Sequence, residues 1–265
     1  TPVADLLALH DATVLLATDQ GIIRLVPQGD VYVTDPVTEN IATAVHRLAL
    51  AGDHIYTAAD GGLYISLRQG RTWQRYADTP ALPFHAVAPC PLWGACHALM
   101  AGSDAGMLFT PDDNLQPWRW LPGLYPLRTE SVVASPAYDS DGTLFAGTEE
   151  GVFRSADRGI TWQRLPTGDP PGHDAVFRAV RLSPAYATDG TVFASYEDRT
   201  LAQTALYRSA DRGQTWTMFP AVAGGTALAV SPAFPVDRTV FFGRGDRVFK
   251  STDAGATWTS YPVAD

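Results

Sequence analysis

The chain has 265 residues, 46% of them hydrophobic, and a formal net charge of −9 from 28 acidic and 19 basic residues. This length and composition are sufficient for a single domain with a sizeable core. The acidic balance argues against a nucleic-acid surface, and no apolar run approaches the length of a membrane helix.

Short runs rich in Val, Leu, Phe and Thr alternate with turns rich in Gly, Asp, Ser and Pro, and no stretch has a sustained helical period. In chain order, one template of four short strands fits the sequence repeatedly. Its copies cover 6–34, 42–76, 84–121, 131–166, 175–219 and 226–261. Four strands per repeat of about 40–50 residues predict an all-β fold, a β-propeller of six four-stranded blades in one domain over 1–265. Seven blades is the alternative if one sheet is split or missing.

An eight-residue phrase, Ser-x-Asp-x-Gly-x-Thr-Trp, precedes the last strand of several copies. Full versions lie at 155–162, 209–216 and 251–258. A worn version at 66–73 has Arg68 in place of the Asp, and a looser one runs from 110 to 118. A second phrase, Ser-Pro-Ala followed by Tyr or Phe, begins at Ser135, Ser183 and Ser231. Two phrases repeated in one phase indicate an array of like units.

The first phrase resembles the Asp-box, the bacterial neuraminidase repeat of sialidases, some xyloglucan hydrolases, sortilin-type receptors and photosystem II assembly factors. The resemblance implies a sialidase-like propeller in which the box lies between the third and fourth strands of a blade. In overall character the chain is similar to the photosystem II assembly factors and other non-catalytic members. The residues that match the box are Ser155, Asp157, Gly159, Thr161, Trp162, Ser209, Asp211, Gly213, Thr215, Trp216, Ser251, Asp253, Gly255, Thr257 and Trp258.

The aspartates of this phrase have a structural explanation. An Asp side chain in a tight turn accepts hydrogen bonds from backbone N–H groups a few residues on. Gly permits a positive φ, and Trp supplies a large apolar plate between neighbouring sheets. We therefore interpret Asp157, Asp211 and Asp253 as residues that make the fold rather than as catalytic acids or bases.

The two cysteines bear on the compartment. Cys90 and Cys96 lie in the loop between the first and second strands of the third copy, where a disulfide would staple the loop. A disulfide implies an oxidising compartment; the alternative is a pair of free buried thiols, and the spacing matches no common zinc pattern. No signal peptide is visible, although a leader could have been removed. Together with the habits of Asp-box proteins, the cysteines favour an extracytoplasmic protein, whether secreted, periplasmic or at the cell surface.

Sialidase activity is not indicated, although the resemblance raises it. Sialidases use an arginine triad, and its first arginine usually lies in an Arg-Ile-Pro phrase that this chain lacks. Arg178 and Arg181 could line a central pocket, but two arginines are not a triad. The six histidines lack metal-binding spacing and are expected in loops or at the surface, so the sequence predicts no metal and no other cofactor. We expect no enzyme; a glycoside hydrolase is the class to test otherwise.

The turns between the second and third strands are where we expect binding. In a propeller they share one face with the blade-to-blade loops, opposite the Asp-boxes, and each carries a carboxylate or lies beside one. This pattern fits simple turn chemistry, or an acidic rim for a basic partner or a cation. Longer loops at 167–174 and 197–204 fall on the same predicted face. Its residues are Asp19, Asp60, Asp104, Glu149, Glu150, Glu197, Asp198, Arg199, Arg244 and Asp246.

The sequence therefore favours a non-catalytic, extracytoplasmic propeller that binds another protein, as a scaffold or assembly subunit of a larger complex such as a membrane complex. It predicts no nucleic-acid partner and no membrane-spanning segment. The alternative is a glycan-active propeller, either a sialidase-like glycoside hydrolase or a lectin. Aromatic platforms for sugar stacking would favour that alternative, and the candidates Tyr125, Phe84 and Phe177 could equally be core residues.

Overall fold

A computed structural model shows a chain that is almost entirely antiparallel β-sheet. It describes residues 3–76, 79–90, 98–110, 118–167, 175–198, 200, 203–219, 227–244 and 247–262. Within these ranges the strands form six four-stranded sheets, and the strands of each sheet follow one another in chain order. The chain divides into two compact units, Thr1–Leu121 and Pro122–Asp265, with three sheets in each.

The first unit contains sheets 1 to 3. Sheet 1 consists of β1 (Val3–Ala8), β2 (Val14–Thr18), β3 (Gly21–Gln28) and β4 (Val31–Asp35). Sheet 2 consists of β5 (Val45–Ala51), β6 (His54–Ala59), β7 (Gly62–Ser66) and β8 (Gln74–Arg75). Sheet 3 consists of β9 (Phe84–Pro89), β10 (Leu99–Ser103), β11 (Gly106–Thr110) and β12 (Arg119–Trp120).

The second unit contains sheets 4 to 6. Sheet 4 consists of β13 (Thr129–Ala134), β14 (Leu144–Thr148), β15 (Gly151–Ser155) and β16 (Gln163–Arg164). Sheet 5 consists of β17 (Ala175–Leu182), β18 (Val192–Asp198), β19 (Gln203–Ser209) and β20 (Thr217–Phe219). Sheet 6 consists of β21 (Ala227–Val230), β22 (Val240–Arg244), β23 (Arg247–Ser251) and β24 (Thr259–Pro262).

Three single-turn helices are a feature that the sequence analysis missed. They lie between the first and second strands of sheets 4 to 6, within the Ser-Pro-Ala-aromatic phrase. These helices are α1 (Tyr138–Asp141), α2 (Tyr186–Asp189) and α3 (Phe234–Asp237). Four residues are too few to produce a helical period, so hydrophobic patterning cannot detect them. We call the segments that contain them, 135–143, 183–191 and 231–239, the helical turns.

Each helical turn is held by its own Ser and Asp side chains. In sheet 5, Ser183 Oγ donates to Asp189 Oδ2 at 2.6 Å and accepts from the N–H of Ala185 at 3.1 Å. Asp189 Oδ1 accepts from the N–H of Thr191 at 2.8 Å. Sheets 4 and 6 repeat these bonds, with Asp141 and Asp237 as the acceptors. The phrase thus contains a second set of turn-forming aspartates.

The Ser-x-Asp-x-Gly-x-Thr-Trp segments form a second recurring turn, between the third and fourth strands. We call 66–73, 155–162, 209–216 and 251–258 the Trp turns. In sheet 5, Asp211 accepts from Thr215 through the hydroxyl at 2.6 Å and the backbone N–H at 2.9 Å. These bonds, helped by Ser209, lower the pKa of Asp211 to about 2. Trp216 Nε1 donates to the carbonyl of Gly213 at 3.0 Å, which fixes the indole against its own turn.

The other two full Trp turns have the same bonds. Asp157 and Asp253 accept from the hydroxyl and the N–H of the Thr four residues on, at 2.5 to 2.8 Å, and the pKa of each is lowered by these bonds. The interpretation of these aspartates as fold-making residues therefore agrees with their contacts. The looser copy at 110–118 and Cys96 lie mostly or wholly outside the described residues, so the Cys90–Cys96 bridge stays a prediction.

Apolar side chains between neighbouring sheets form the core of each unit. One cluster joins sheets 1 and 2 and another joins sheets 2 and 3 in the first unit; in the second unit, clusters join sheets 4 and 5 and sheets 5 and 6. The turns also pack on the preceding sheet. A Cβ on Gly213, whose φ is +89°, would lie 2.6 Å from a methyl carbon of Leu165, so this position needs glycine for both space and conformation.

Candidate functional site

A β-bulge near the start of the first strand recurs in the described part of sheets 1 to 5. At each bulge the pairing with the second strand skips one residue, so that residue is released from the ladder. The skipped residues are Ala4, His46, His85, Glu130 and Arg178. Bulges occur preferentially near functional sites because they redirect a side chain without interrupting the sheet. We call these residues, with the turns between second and third strands beside them, the bulge end.

In the first unit, two bulged residues are histidines that bind turn carboxylates. His46 Nε2 lies 2.7 Å from Asp60 Oδ1, and His85 Nε2 lies 2.7 Å from Asp104 Oδ1. The two imidazole rings are also neighbours, with their centroids 5.4 Å apart. The aspartates are about half exposed, whereas His85 is only 10% exposed. In each pair the histidine ring therefore holds the aspartate side chain in place while that carboxylate stays accessible to solvent.

In the second unit, the bulges bring carboxylates and guanidinium groups together. Arg178 Nη1 lies 3.0 Å from Glu130 Oε2, and Arg178 Nε donates to Glu197 Oε2 at 2.6 Å. Glu130, 7% exposed, also pairs with Arg128 at 2.7 Å. Burial alone would lower the pKa of Arg178, but the charge of Glu130 and the charge and hydrogen bond of Glu197 raise it above its ordinary value. Arg178 therefore stays charged and holds the two carboxylates in place.

Most of the predicted binding residues lie at the bulge end. Asp19, Asp60, Asp104, Glu149 and Glu150 are exposed at the turns between second and third strands. Glu149 also accepts from the backbone N–H of the residue that precedes β13, Arg128, at 3.0 Å. Arg199, Asp246 and the side chain of Arg244 lie outside the described residues, so their predicted role is not addressed by this structure.

The hairpin of sheet 5 differs from the expected long loop over 197–204. The ladder continues along it, because Glu197 pairs with Thr204 and Asp198 with Gln203. Asp198 is buried and accepts from the hydroxyl of Tyr196 at 3.3 Å, so its side chain belongs to the interior of the hairpin rather than to an exposed rim. Extended strands therefore take the place of the expected loop up to Asp198 and from Gln203 onward.

Sequence reasoning found only part of the basic half of this site: it named Arg178 as a possible pocket residue but gave no role to Arg128, His46 or His85. It placed His46 and His85 in loops or at the surface, but both lie in first strands, at bulges. Glu130 and Arg128 were not singled out at all. The sequence does contain a signal that could have found them. Near the start of the first strand, sheets 2 to 5 each have a charged or imidazole side chain: His46, His85, Glu130 and Arg178. In the residues that the structure describes, no group of three or more His, Cys, Asp or Glu side chains could hold a metal ion.

No protein-family model and no curated protein sequence matches this chain. Solved structures do match it. An ancestral GH74 enzyme superposes with a TM-score of 0.75 at 17% identity, over 99% of this chain and 38% of its own. YCF48 bound to D1 peptide gives 0.67 at 14% identity, over 98% of this chain and 83% of its own. The fold is a six-bladed β-propeller.

Extracellular proteins are also among the structures similar to this propeller. The extracellular domain of the hybrid two component system BT3049 from B. thetaiotaomicron gives a TM-score of 0.69 at 14% identity, over 99% of this chain and 35% of its own. The propeller thus spans well under half of the GH74 enzyme and of BT3049. Identities this low establish the fold alone. Over the described ranges, the propeller contains no helix with the length and apolarity needed to span a bilayer.

Proposed function

We propose that this propeller is a non-catalytic, extracytoplasmic protein of the Asp-box type that binds a basic segment of another protein at the bulge end of one or both units. It acts there as a scaffold or assembly subunit of a larger complex. The observation that carries the proposal is the recurrence of the bulge itself. One backbone device is repeated in five sheets, and the side chain that it releases is Ala, His, His, Glu and Arg in turn. Such variation on a constant frame is typical of a recognition surface.

The charge of the bulge end favours a basic partner. In the second unit the carboxylates of Glu130 and Glu197 contact the guanidinium groups of Arg128 and Arg178, and those of Glu149 and Glu150 are exposed at the turn between β14 and β15. In the first unit, the exposed aspartates Asp60 and Asp104 are supported by the imidazole rings of His46 and His85. In the second unit much of the charge of the glutamates is offset by Arg128, Arg164, Arg178 and Arg247, whereas the first unit has an excess of negative charge at this end, in keeping with the net charge of −9. Such a surface steers and orients positively charged partners.

The same contacts argue against acid–base catalysis. A glycosidase needs one carboxylic acid that is protonated at the working pH. Glu130 and Glu197 instead both contact Arg178, so an arginine of the chain, rather than a sugar, is the partner of each carboxylate. Two structural similarities further support scaffold function. YCF48, a propeller of comparable length, was solved bound to a peptide, and the BT3049 structure of similar fold is an extracellular domain.

The proposal can be tested by affinity purification from native membranes and extracts, with separate charge reversals in the two units. Asp60→Lys with Asp104→Lys alters the first unit, and Glu149→Lys with Glu150→Lys alters the second. We expect the wild-type chain to retain a stoichiometric protein partner that one or both variants lose. Asp30→Lys, an exposed change in the hairpin between β3 and β4, is the matched control and should retain it. Absence of a partner, or equal retention by all variants, would refute the proposal.

A glycan-active propeller is the second candidate, and two observations favour testing it. Carboxylates flank Arg178 on both sides, and a GH74 enzyme is among the structures of similar fold. Of the proposed sugar platforms, Phe84 and Phe177 are buried in the core, whereas Tyr125 is 59% exposed. Turnover of aryl glycosides that is abolished by both Glu130→Gln and Glu197→Gln, in variants that remain folded, would establish this candidate in place of the scaffold.

A further inference from the structure

A cavity of about 620 Å³ opens between sheets 1 and 2, at the end of these sheets opposite to the bulge end. Leu9, Leu50, Ile55 and Leu67 form its apolar wall, and Arg68 lies at its rim. Its volume falls within the range of pockets that bind small ligands. We call it the aromatic slot, because an aromatic ring fills the equivalent space in sheets 5 and 6.

In sheets 5 and 6 the equivalent space is filled by an aromatic ring from a helical turn. The ring of Tyr186 lies 5.6 Å from that of Phe145 in sheet 4, and it belongs to one buried cluster with Leu182 and Val192. Phe234 has the same relation to Phe193, again at 5.6 Å. In sheets 5 and 6 the aromatic side chain of the helical turn therefore closes the gap to the preceding sheet.

Sheet 2 has the wall of this space without the ring. Leu50 pairs with Ile55 at the ladder position where Leu182 pairs with Val192, so the two pairs are equivalent. Between Leu50 and Ile55, however, the chain makes a tight turn through Gly52 and Asp53 and has no helical turn. The aromatic slot is thus the position that Tyr186 and Phe234 occupy in their own sheets.

The rim of the slot supplies a donor for a bound main chain. In sheets 4 and 5 an arginine of the Trp turn donates to a carbonyl of the helical turn: Arg158 Nη2 to Asp139 O at 2.8 Å, and Arg212 Nη2 to Ala187 O at 2.9 Å. In sheet 2 the Trp turn carries Arg68 and Arg71. Arg71 pairs with Asp35 at 3.2 Å, whereas the Arg68 guanidinium makes no hydrogen bond or ion pair within the described ranges.

Arg68 is also dispensable for the shape of its turn. The Trp turn of sheet 2 keeps its conformation because Ser66 Oγ accepts from the N–H of Gly70 at 2.9 Å. The backbone N–H of Trp73 donates to the carbonyl of Glu39 at 3.1 Å, which replaces the support that Asp gives in the other sheets. The exposed Arg68 guanidinium is therefore available to an acceptor outside the chain.

We propose that the aromatic slot receives a Tyr or Phe side chain of a partner polypeptide, presented on a single helical turn as in α2. The ring packs between Leu50, Ile55 and Leu67, and Arg68 donates to a main-chain carbonyl of the bound turn. This site is independent of the acidic bulge end, and it lies at the other end of the sheets. It takes an apolar anchor rather than a basic segment, so the two proposals can fail separately.

The test uses the chain's own sequence as the probe. An acetylated and amidated peptide of residues 183–190, Ser-Pro-Ala-Tyr-Ala-Thr-Asp-Gly, is titrated into the full chain while methyl NMR signals of Ile55 and Leu67 are followed. We expect saturable shifts, and binding weakened at least about tenfold when the peptide carries Ala in place of Tyr. No saturable shift at peptide concentrations up to about 1 mM, or equal binding of the two peptides, would overturn the proposal.

Variants locate the site. Leu67→Asp, at a side chain that is 59% exposed, should weaken peptide binding at least about tenfold without unfolding the chain. The matched control is Ile160→Asp, a 66% exposed position in the Trp turn of sheet 4, which should leave binding unchanged. Arg68→Ala should weaken it several-fold. Unaltered binding by Leu67→Asp, or binding of free p-cresol as tight as that of the tyrosine peptide, would exclude a polypeptide anchor at this slot.

Discussion

Three aspartates accept the same hydrogen bonds in three Trp turns, and a fourth turn manages without one. Asp157, Asp211 and Asp253 each bind the Thr four residues on, whereas sheet 2 has Arg68 at that position. An ionised side chain that accepts several hydrogen bonds is stabilised in its charged form. At the scale of single residues, these carboxylates thus couple protonation to the stability of the fold.

Asp211→Asn should make stability less dependent on pH in acid. The pKa of Asp211 is lowered from 3.8 to about 2 in the folded protein, so its contribution is complete above about pH 4 and is lost as the pH falls towards 2. We expect the variant to lose about 1–2 kcal/mol at pH 7 and to show a shallower decline between pH 4 and 2, measured by urea unfolding. Asp30→Asn is the control. An unchanged slope in Asp211→Asn would contradict the assignment.

Arg68→Asp should stabilise the chain. An Asp at this position can accept from Thr72, as Asp157 accepts from the N–H and hydroxyl of Thr161 at 2.8 and 2.6 Å. The expected gain is about 1 kcal/mol in the free energy of unfolding, which urea denaturation can measure. Arg68→Ala removes the same guanidinium without adding an acceptor and serves as the reference. If the Asp variant is no more stable than the Ala variant, the missing carboxylate is not what weakens this turn.

At the scale of elements, each helical turn ends on a residue in the left-handed conformation. Gly142 and Gly190 have φ values of +58° and +61°, and sheet 6 has Arg238 at +51° in the same position. A side chain with a Cβ is strained there. The third helical turn therefore tolerates a residue that the other two avoid, in a sheet whose aromatic residue is still fully buried.

Gly190→Ala should destabilise the chain by about 1–2 kcal/mol. The added Cβ would lie 3.0 Å from Cγ and 3.1 Å from the backbone nitrogen of Arg212, in addition to the strain of a positive φ. Arg238→Gly relieves the equivalent strain in sheet 6, although it removes the guanidinium 5.8 Å from the Phe234 ring, and should be neutral or stabilising. Thermal unfolding of both variants checks the pair. Equal losses would show that conformation is not the deciding factor.

The strands were predictable because their turns carry strong local signals. Gly, Asp, Ser and Pro mark nearly every turn, and the extents expected for sheets 4 to 6 differ from the observed strands by a few residues at most. The helical turns and the bulges were not predictable in this way. A single helical turn has no period, and a bulge such as that at His46 changes only the register with a partner strand, which one sequence does not reveal.

At the scale of the whole molecule, exposed charge should govern association. The net charge is −9, and exposed aspartates and glutamates line the bulge end of both units. Exposed charges are screened at moderate ionic strength. We therefore expect the affinity for the retained partner to fall as NaCl is raised from about 0.05 to 0.5 M, mainly because the association rate constant falls. Surface plasmon resonance measures both quantities. Binding that is insensitive to salt would point to an apolar contact instead.

The candidate site was predictable only in part, because its contacts join residues that are distant in the sequence. Carboxylates in turns can be read from the sequence, and Asp60, Asp104 and Glu197 were found in this way. Their partners His46, His85 and Arg178 come from a different strand, 14 or more residues earlier, so pairing depends on the sheet. Asp198 follows Glu197 directly, yet the alternation of the strand buries it.

A residue released by a bulge is not paired with a residue of the neighbouring strand. Its side chain can therefore be replaced without loss of a ladder pair. Positions 4, 46 and 85 can therefore be varied while the ladder persists, whereas Glu130 and Arg178 form an ion pair of low exposure and must be varied together. A protein engineer could randomise these positions and select variants with new binding specificities on the same scaffold.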